Sequence, residues 1–308
     1  MKTLAHDIIS IMGATAGGKT SLAAHIAYEF GGEIISADSR QVYRGMDIGT
    51  GKDLEDFILK EKEIPYHLID IAEAGYKYNV FEYQKDFLNV YKDLKKRNKL
   101  PILCGGTGMY IDAVLKGYKL INVPHDEDLK SKLEEKTDDE LIEILKTNKE
   151  LHNRSDTSNR KRLIRAVEIA LYYQKHSDFD FSYPEIESLN IQIVFDRNSR
   201  RKRITQRLKE RLQTGMIEEV ENLINKNVPV ETLKYYGLEY KFITEYILGE
   251  LSYEEMFSKL EIAIHQFSKR QMTWFRKMEK DGYKIYKIDG YLPLEEKIRK
   301  VKQLFYQE

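Results

Sequence analysis

Residues 13–20 read GATAGGKT, between the apolar run DIISIM (7–12) and the helix-like SLAAHIAYEF (21–30). Gly13, Gly18, Lys19 and Thr20 fit the pattern G-x-x-x-x-G-K-[ST], and a strand before and a helix after are the context it needs. Its chemistry is that of a phosphate cradle. Glycines let backbone amides turn inward around phosphate oxygens, and the helix N-terminus adds positive potential. Lys19 then reaches the terminal phosphate, and the Thr20 hydroxyl is placed to ligate Mg²⁺. The loop alone does not separate a kinase, a nucleotide hydrolase and a transferase that releases pyrophosphate.

Outward from the loop, strand-like and helix-like segments alternate. EIISAD (33–38), YHLIDI (66–71) and PILCGG (101–106) read as strands, and 18–30 and 80–97 as amphipathic helices. That order argues for a parallel α/β sheet. After about residue 120 the pattern changes: residues 126–150 mix ten acidic residues with five lysines, a solvated helical pattern. Residues 158–173 read as a helix with Leu163, Ala166, Val167 and Ala170 on its apolar side, and 176–187 as a loop. IQIVFD (191–196) alternates like a strand returning to the sheet. Helices are expected at about 198–226, 239–248 and 253–278, and a last strand at 283–288. The predicted architecture is α/β, a P-loop NTPase-like parallel sheet core over 1–120 and 190–308 with C-terminal helices. A mostly helical insertion is predicted at 121–189.

The 308 residues include 50 basic and 50 acidic side chains, so any affinity for nucleic acid must come from local patches. The single cysteine, Cys104, excludes an intramolecular disulfide and suits a reducing compartment. No run approaches the ~18 apolar residues of a membrane span, and the apolar pattern starts too early for a signal peptide. A cytoplasmic chain without a membrane partner is expected. Seven histidines and one cysteine show no metal-ligand spacing, so no zinc is expected. His67 reads as a satisfied core histidine and Cys104 as a buried, inert thiol.

ISADSRQVYRGMDIGTGK (35–52) places Asp38 at the carboxyl end of the second strand, the edge that faces the ligand crevice in open parallel sheets. Two readings of Asp38 stay open: a base or metal-shell group near the phosphates, and a turn-capping aspartate. Ser39 and Gln41 add polar groups suited to a base edge or a hydroxyl. GGTGMY (105–110) also starts at a strand end and opens a helix. Its glycines permit close backbone approach and Thr107 offers a hydroxyl, although a plain strand-to-helix turn reads the same way.

GATAGGKT, IISADSRQVYRGMDIGTGK, PYHLIDI, ILCGGTGMY, NRKRLIRAVEI and HQFSKRQMTWFR follow in that order over roughly residues 8–278. The ordered set resembles the tRNA dimethylallyltransferase family, also called tRNA isopentenyltransferases. The resemblance implies transfer of a dimethylallyl group from dimethylallyl pyrophosphate to the exocyclic amine of the adenosine 3′ of the anticodon. It also implies a helical insertion that grips the tRNA anticodon stem-loop. Mg²⁺ is the cofactor expected from the phosphate loop, and a monomer with no obligate protein partner is expected. By the same resemblance Gly13, Ala14, Thr15, Ala16, Gly17, Gly18, Lys19 and Thr20 bind the donor pyrophosphate, joined by Arg203. Asp38 matches the general base, and Asp38, Ser39, Arg40 and Gln41 match the segment that handles the flipped adenine. Thr107 matches a tRNA-contacting threonine and is grouped with the catalytic residues, and Lys161, Arg162 and Arg165 match a tRNA-contacting run. Ala14 stands where the family usually has proline, Gly17 where it often has serine, Arg40 for a common methionine and Lys161 for a frequent glutamine. Residues 235–242, YYGLEYKF, match the family pattern only loosely.

Residues 197–211, RNSRRKRITQRLKER, hold eight basic residues and one acid. On a helix Arg200, Arg203 and Arg207 share one face and Arg197, Arg200 and Arg201 another. One face is read as meeting pyrophosphate and the other the tRNA backbone, since arginine's bidentate fork suits both. Arg197 and Arg203 match family arginines, and Arg197 is the expected pyrophosphate ligand and a catalytic group. KRQMTWFRK (269–277) is a weaker basic patch whose Trp274 reads equally as a base-stacking or a core residue. The competing readings are a prenyltransferase acting on free adenine nucleotides and a P-loop small-molecule kinase.

Overall fold

The run IISIM forms strand β1 (Ile8–Met12), and all five residues are buried, as a strand covered on both faces requires. The computed structural model describes residues 6–124, 126–148, 157, 159–176 and 182–307. After the glycine loop, α1 (Lys19–Phe30) turns Leu22, Ala23, Ile26 and Ala27 inward, and β2 (Glu33–Ser36) follows, fully buried. A 3₁₀ turn at Leu54–Phe57 leads to the small hairpin β3 (Ile58–Leu59) and β4 (Lys62–Glu63), then to β5 (Tyr66–His67). The strand expected over 66–71 stops at His67 because Leu68 and Asp70 adopt φ of +61° and +55°, a left-handed backbone that breaks extension. α2 (Val80–Lys96) begins at Asn79, which forms a capping box with Glu82. β6 (Pro101–Gly105) and α3 (Gly108–Leu115) come next.

Residues 119–183 form a compact unit of their own. It contains α4 (Glu127–Glu134), α5 (Asp138–Asn148) and α6 (Arg160–Lys175). Its core is Leu133, Leu141 and Leu145 against Leu163, Ile164, Val167 and Ala170. Arg160 ties α6 to the α4–α5 junction, its Nη2 donating to the carbonyls of Glu134 at 2.7 Å and Lys136 at 2.6 Å. Residues 149–150 of the predicted acidic pattern, 158 of the predicted helix and 177–181 of the predicted loop lie outside the described residues.

The other unit comprises 1–118 and 184–308. The sheet resumes at β7 (Ser188–Val194), whose Ser188 and Leu189 already pair with Ile8 and Ile9. The structural boundary thus falls before the expected 189. Then come α7 (Arg197–Gln213), α8 (Met216–Asn225), α9 (Val230–Tyr236), α10 (Leu238–Ile247), α11 (Tyr253–Lys280), β8 (Ile285–Asp289) and α12 (Leu294–Gln307). The single helix expected over 198–226 is two, divided at Gly215 with φ of +102°. α9, α12 and the β3–β4 hairpin have no counterpart in the sequence reading.

Six strands form one sheet in the order β5-β2-β6-β1-β7-β8, with every neighbouring pair parallel. Parallel pairing brings the carboxyl ends of β1, β2, β6 and β7 to one edge, where open α/β sheets bind ligands. A second core, built on buried Tyr43, Tyr236, Tyr240, Leu208 and Leu260, packs α7 to α11 together. Among the described residues, no helix is long and apolar enough to cross a membrane.

Candidate active site

The loop after β1 is wound tightly. Ala16 and Gly18 take φ of +59° and +72°, the left-handed turn that presents consecutive amides to one side. Lys19 folds back so that Nζ donates to the Ala14 carbonyl at 2.9 Å. Burial holds its ammonium below the ordinary lysine range, and nearby Cys104 and Asp38 pull it back up. Arg203 of α7 reaches across, with Nε donating to the Ala16 carbonyl at 2.9 Å and the guanidinium 4.7 Å over the Phe195 ring. A cavity of about 700 Å³ opens between Gly18, Lys19 and Thr20 on one side and Arg203, Arg207 and Arg211 on the other.

Asp53 and Asp56 also line this cavity. The Asp53 carboxylate accepts from Arg207 and, at 3.3 Å, from Arg211. Burial, then Asp53, raises the Asp56 carboxyl. Among the described residues no three His, Cys, Asp or Glu gather as a metal cage. The Thr20 hydroxyl facing a phosphate cavity fits Mg²⁺, which takes few protein ligands and fills its shell from water and substrate phosphates.

Asp38 follows β2 and faces the same edge. Its Oδ1 accepts the Arg40 amide at 2.9 Å, the turn-capping geometry. One carboxylate oxygen thus holds the turn, and among the described residues Oδ2 accepts no hydrogen bond. Thr107, after β6, stands beside it: the Thr107 amide donates to the Ala37 carbonyl at 3.1 Å, and Oγ1 accepts from the Ser39 amide at 3.1 Å. Gln41 is turned to support instead. Its Nε2 donates to the Gly51 carbonyl at 2.9 Å and its Oε1 accepts from Ser36 Oγ at 3.0 Å. The Arg40 guanidinium lies 5.7 Å from the Tyr235 ring centroid.

Arg197 is not at this cavity. It opens α7 and lines a separate cavity of about 490 Å³ with Arg200 and Arg201 and with Lys269 and Arg276 of α11. Helical geometry explains the difference. Arg203, Arg207 and Arg211 recur every four residues on the face toward the loop, whereas Arg197 lies about one and two-thirds turns, about 9 Å, before Arg203 along the axis. Arg200, expected on both faces, lines the cavity with Arg197 and Arg201.

The sequence matches the family model for IPP transferase over residues 41–278, and the model for isopentenyl transferase over 6–69. The chain belongs to the IPP transferase family. It is 55% identical over 298 residues to tRNA dimethylallyltransferase 2 of Bacteroides fragilis, covering 97% of each chain. It is 59% identical over 293 residues to tRNA dimethylallyltransferase 1 of Parabacteroides distasonis, covering 95% of each. Among solved structures, a tRNA isopentenylpyrophosphate transferase of Bacillus halodurans superposes with a TM-score of 0.70 at 28% identity, covering 96% of this chain and 94% of the other. The corresponding protein of Staphylococcus epidermidis gives 0.69 at 31% identity, covering 97% and 98%.

In this IPP transferase the α6 cations divide. Lys161 is exposed, whereas Arg165 is held by the Val123 carbonyl at 2.7 Å and Glu168 at 3.0 Å. Arg162 is exposed on the same helix. His67 bonds the Glu33 carboxylate at 2.8 Å, and burial pushes the Cys104 thiol up to about 12; both are structural. Trp274 is half-buried, packed on Gly108, with the Lys277 ammonium 5.3 Å from its ring. Sequence reasoning missed three supports. Glu219 accepts the amides of Asp47, Ile48 and Gly49 at 2.6–3.0 Å. Lys52 Nζ donates to the Tyr43 carbonyl at 2.6 Å and to Asp47 and Asp70. Gln271 bridges two loops of the site. Glu219 and Gln271 join segments 165 or more positions apart, so no local pattern announces them, whereas Lys52 gathers carbonyl and carboxylates from within 18 positions.

Proposed function

We propose that this IPP transferase moves a dimethylallyl group from dimethylallyl pyrophosphate to the exocyclic amine of the adenosine 3′ of the anticodon in tRNA, releasing pyrophosphate. The observation that carries the reading is the convergence at one sheet edge of the phosphate loop, Asp38 and Thr107, with Arg203 closing the loop from α7. The names of the relatives at more than half identity support it.

In this reading the adenosine is extruded from its loop, as enzymes that modify bases require. Its amine attacks the first prenyl carbon. The carbon–nitrogen bond forms as the carbon–oxygen bond to pyrophosphate breaks with allylic cation character. The amine proton passes to Asp38 Oδ2. Charge growing on pyrophosphate is met by Lys19, the loop amides and Arg203. Thr20 would hold Mg²⁺, and the ion would supply further charge neutralisation there. Thr107 orients the Asp38 turn. Arg197, Arg200 and Arg201 with Lys269 and Arg276 take phosphodiester backbone, and Lys161 and Arg162 take the anticodon stem. The enzyme acts as a monomer in the cytoplasm, where tRNA and a reduced thiol both belong.

The test is radiolabelled dimethylallyl pyrophosphate offered with bulk tRNA, with AMP, and, in a parallel arm, ATP with small acceptors. Label in tRNA is expected. Label in AMP and none in tRNA would replace this reading by a free-nucleotide prenyltransferase, and ATP consumption by a kinase.

A further inference from the structure

Gln271 of α11 is 256 positions from Thr15, yet its side chain touches both walls of the donor site. Its Oε1 accepts the Thr15 amide of the phosphate loop at 3.0 Å, and its Nε2 donates to the Gly106 carbonyl at 2.9 Å. The side chain is buried, with 6% of its surface exposed. The fit is close: a Cβ at Gly106 would stand 2.4 Å from Gln271 Nε2 and 3.4 Å from the Gly13 carbonyl oxygen, so only glycine lets the amide in. From Gly106 the chain of bonds continues. The Thr107 amide holds the Ala37 carbonyl and Thr107 Oγ1 holds the Ser39 amide, on either side of Asp38. A planar carboxamide presents an acceptor and a donor at a fixed separation. Here one bond goes to the loop that holds the leaving group and the other to the wall that carries the candidate base.

We infer that Gln271 is a positioning residue for the transfer: it fixes the phosphate loop and the Asp38–Thr107 wall at one spacing. Bond formation between an amine and a prenyl carbon depends on that spacing, and misplacement of about 1 Å costs on the order of 10²-fold. By engaging the Thr15 amide, Gln271 also fixes which loop amides remain to face phosphate. The kinetic consequence rests on the proposed reaction; the clamp itself does not.

Gln271→Glu keeps the shape and the acceptor. Ionised, it has no proton for the Gly106 carbonyl and sets a carboxylate against it. Protonated, it restores both bonds. Burial raises a carboxyl, so the protonated fraction grows as pH falls from about 8 to about 6. Gln271→Leu makes neither bond at any pH. Two ratios to wild type are measured at matched pH: the single-turnover rate at saturating donor and tRNA, and the affinity for inorganic pyrophosphate. Both variants are expected to be slowed about tenfold at about pH 8. The Glu variant is then expected to recover at least about threefold toward pH 6 in both ratios while the Leu variant stays flat. Parallel pH profiles for the two variants, or wild-type behaviour of the Glu variant throughout, would overturn the inference. Should the Leu variant not fold, the slope of the Glu variant alone decides. Should wild type transfer no label to tRNA, the functional reading falls, and the pyrophosphate ratios still judge the clamp.

Discussion

Helix α7 carries two cationic faces that meet their surroundings on different terms. On the face toward the phosphate loop every guanidinium has a protein partner: Arg203 has the Ala16 carbonyl and the Phe195 ring, and Arg207 and Arg211 share Asp53. On the face toward α11, Arg197, Arg200 and Arg201 make no ion pair among the described residues. Burial, followed by Arg197 and Arg276, pushes the Arg200 guanidinium below its ordinary range. The first face is a set of oriented donors, held before any ligand arrives. The second carries charge that no ion pair neutralises among the described residues, with Asp196 only nearby. Oriented donors suit a small anion whose charge grows during a reaction; unpaired charge suits a long polyanion and supplies affinity more than geometry. In the proposed reaction one helix serves a leaving group and a nucleic-acid backbone with the same residue type, and what differs is which partners lock the side chains.

The sharpest separation of the two faces comes from Lys19 of α1, which lines the same cavity as the first face and not that of the second. Lys19→Met is expected to lower the single-turnover rate by roughly 10²–10³-fold while leaving tRNA affinity unchanged. An equal loss of tRNA affinity, measured by filter binding, would erase the division. Next is a crossed pair. Arg203→Gln should raise the KM for dimethylallyl pyrophosphate about tenfold and spare the KM for tRNA, since a hydrogen bond to a charged group contributes about 1.5–3 kcal/mol. Arg200→Gln combined with Arg276→Gln should do the reverse. Donor KM shifts in both variants would mean that α7 has one anion site.

This division also marks where sequence reading stops. The phosphate loop, β1 and α1 were legible because a local pattern, a buried run and an amphipathic stripe agree within 25 residues of chain. Asp38 and Thr107 were legible as strand-end residues, because strand ends in a parallel sheet collect at one edge. The eight cations of 197–211 announced a basic helix, but not which arginine faces which neighbour. That depends on α11 packing along one side of α7, a contact made by residues about 60 positions further on, such as His265 near the Arg201 carbonyl. YHLIDI looked like a strand because it is apolar, and the left-handed turns at Leu68 and Asp70 answer to tertiary demands: Asp70 gives its carboxylate to buried Lys52. Gln271 and Glu219 were illegible for the same reason as α7's facing, since the backbone groups they hold lie 165 or more positions away.

Salt provides a gentler probe of the comparison. Each phosphate contact removed should reduce the slope of log affinity against log salt by about 1. The Arg200→Gln variant should therefore lose about fourfold less tRNA affinity than wild type between roughly 50 and 200 mM salt. Arg203→Gln should run parallel to wild type. If instead Arg203→Gln flattens the slope and Arg200→Gln does not, the backbone lies on the loop side of α7 and the assignment of the faces is reversed.

The smallest effect tests whether partnering is what distinguishes the loop face. Asp53 holds Arg207 and Arg211 in place, and it also neutralises part of their charge. Asp53→Asn removes that charge and weakens the anchor, so two effects oppose. Pyrophosphate in its ground state should bind about twofold more tightly, because both guanidinium charges become free to attract it. The rate at saturating substrate should fall about two- to threefold, because the donors are no longer held where charge develops. Tighter binding joined to slower transfer is the signature of lost orientation. A variant that binds more tightly and reacts as fast as wild type would show that charge alone serves the loop face, and the two sides of α7 would then differ only in the ligand that reaches them.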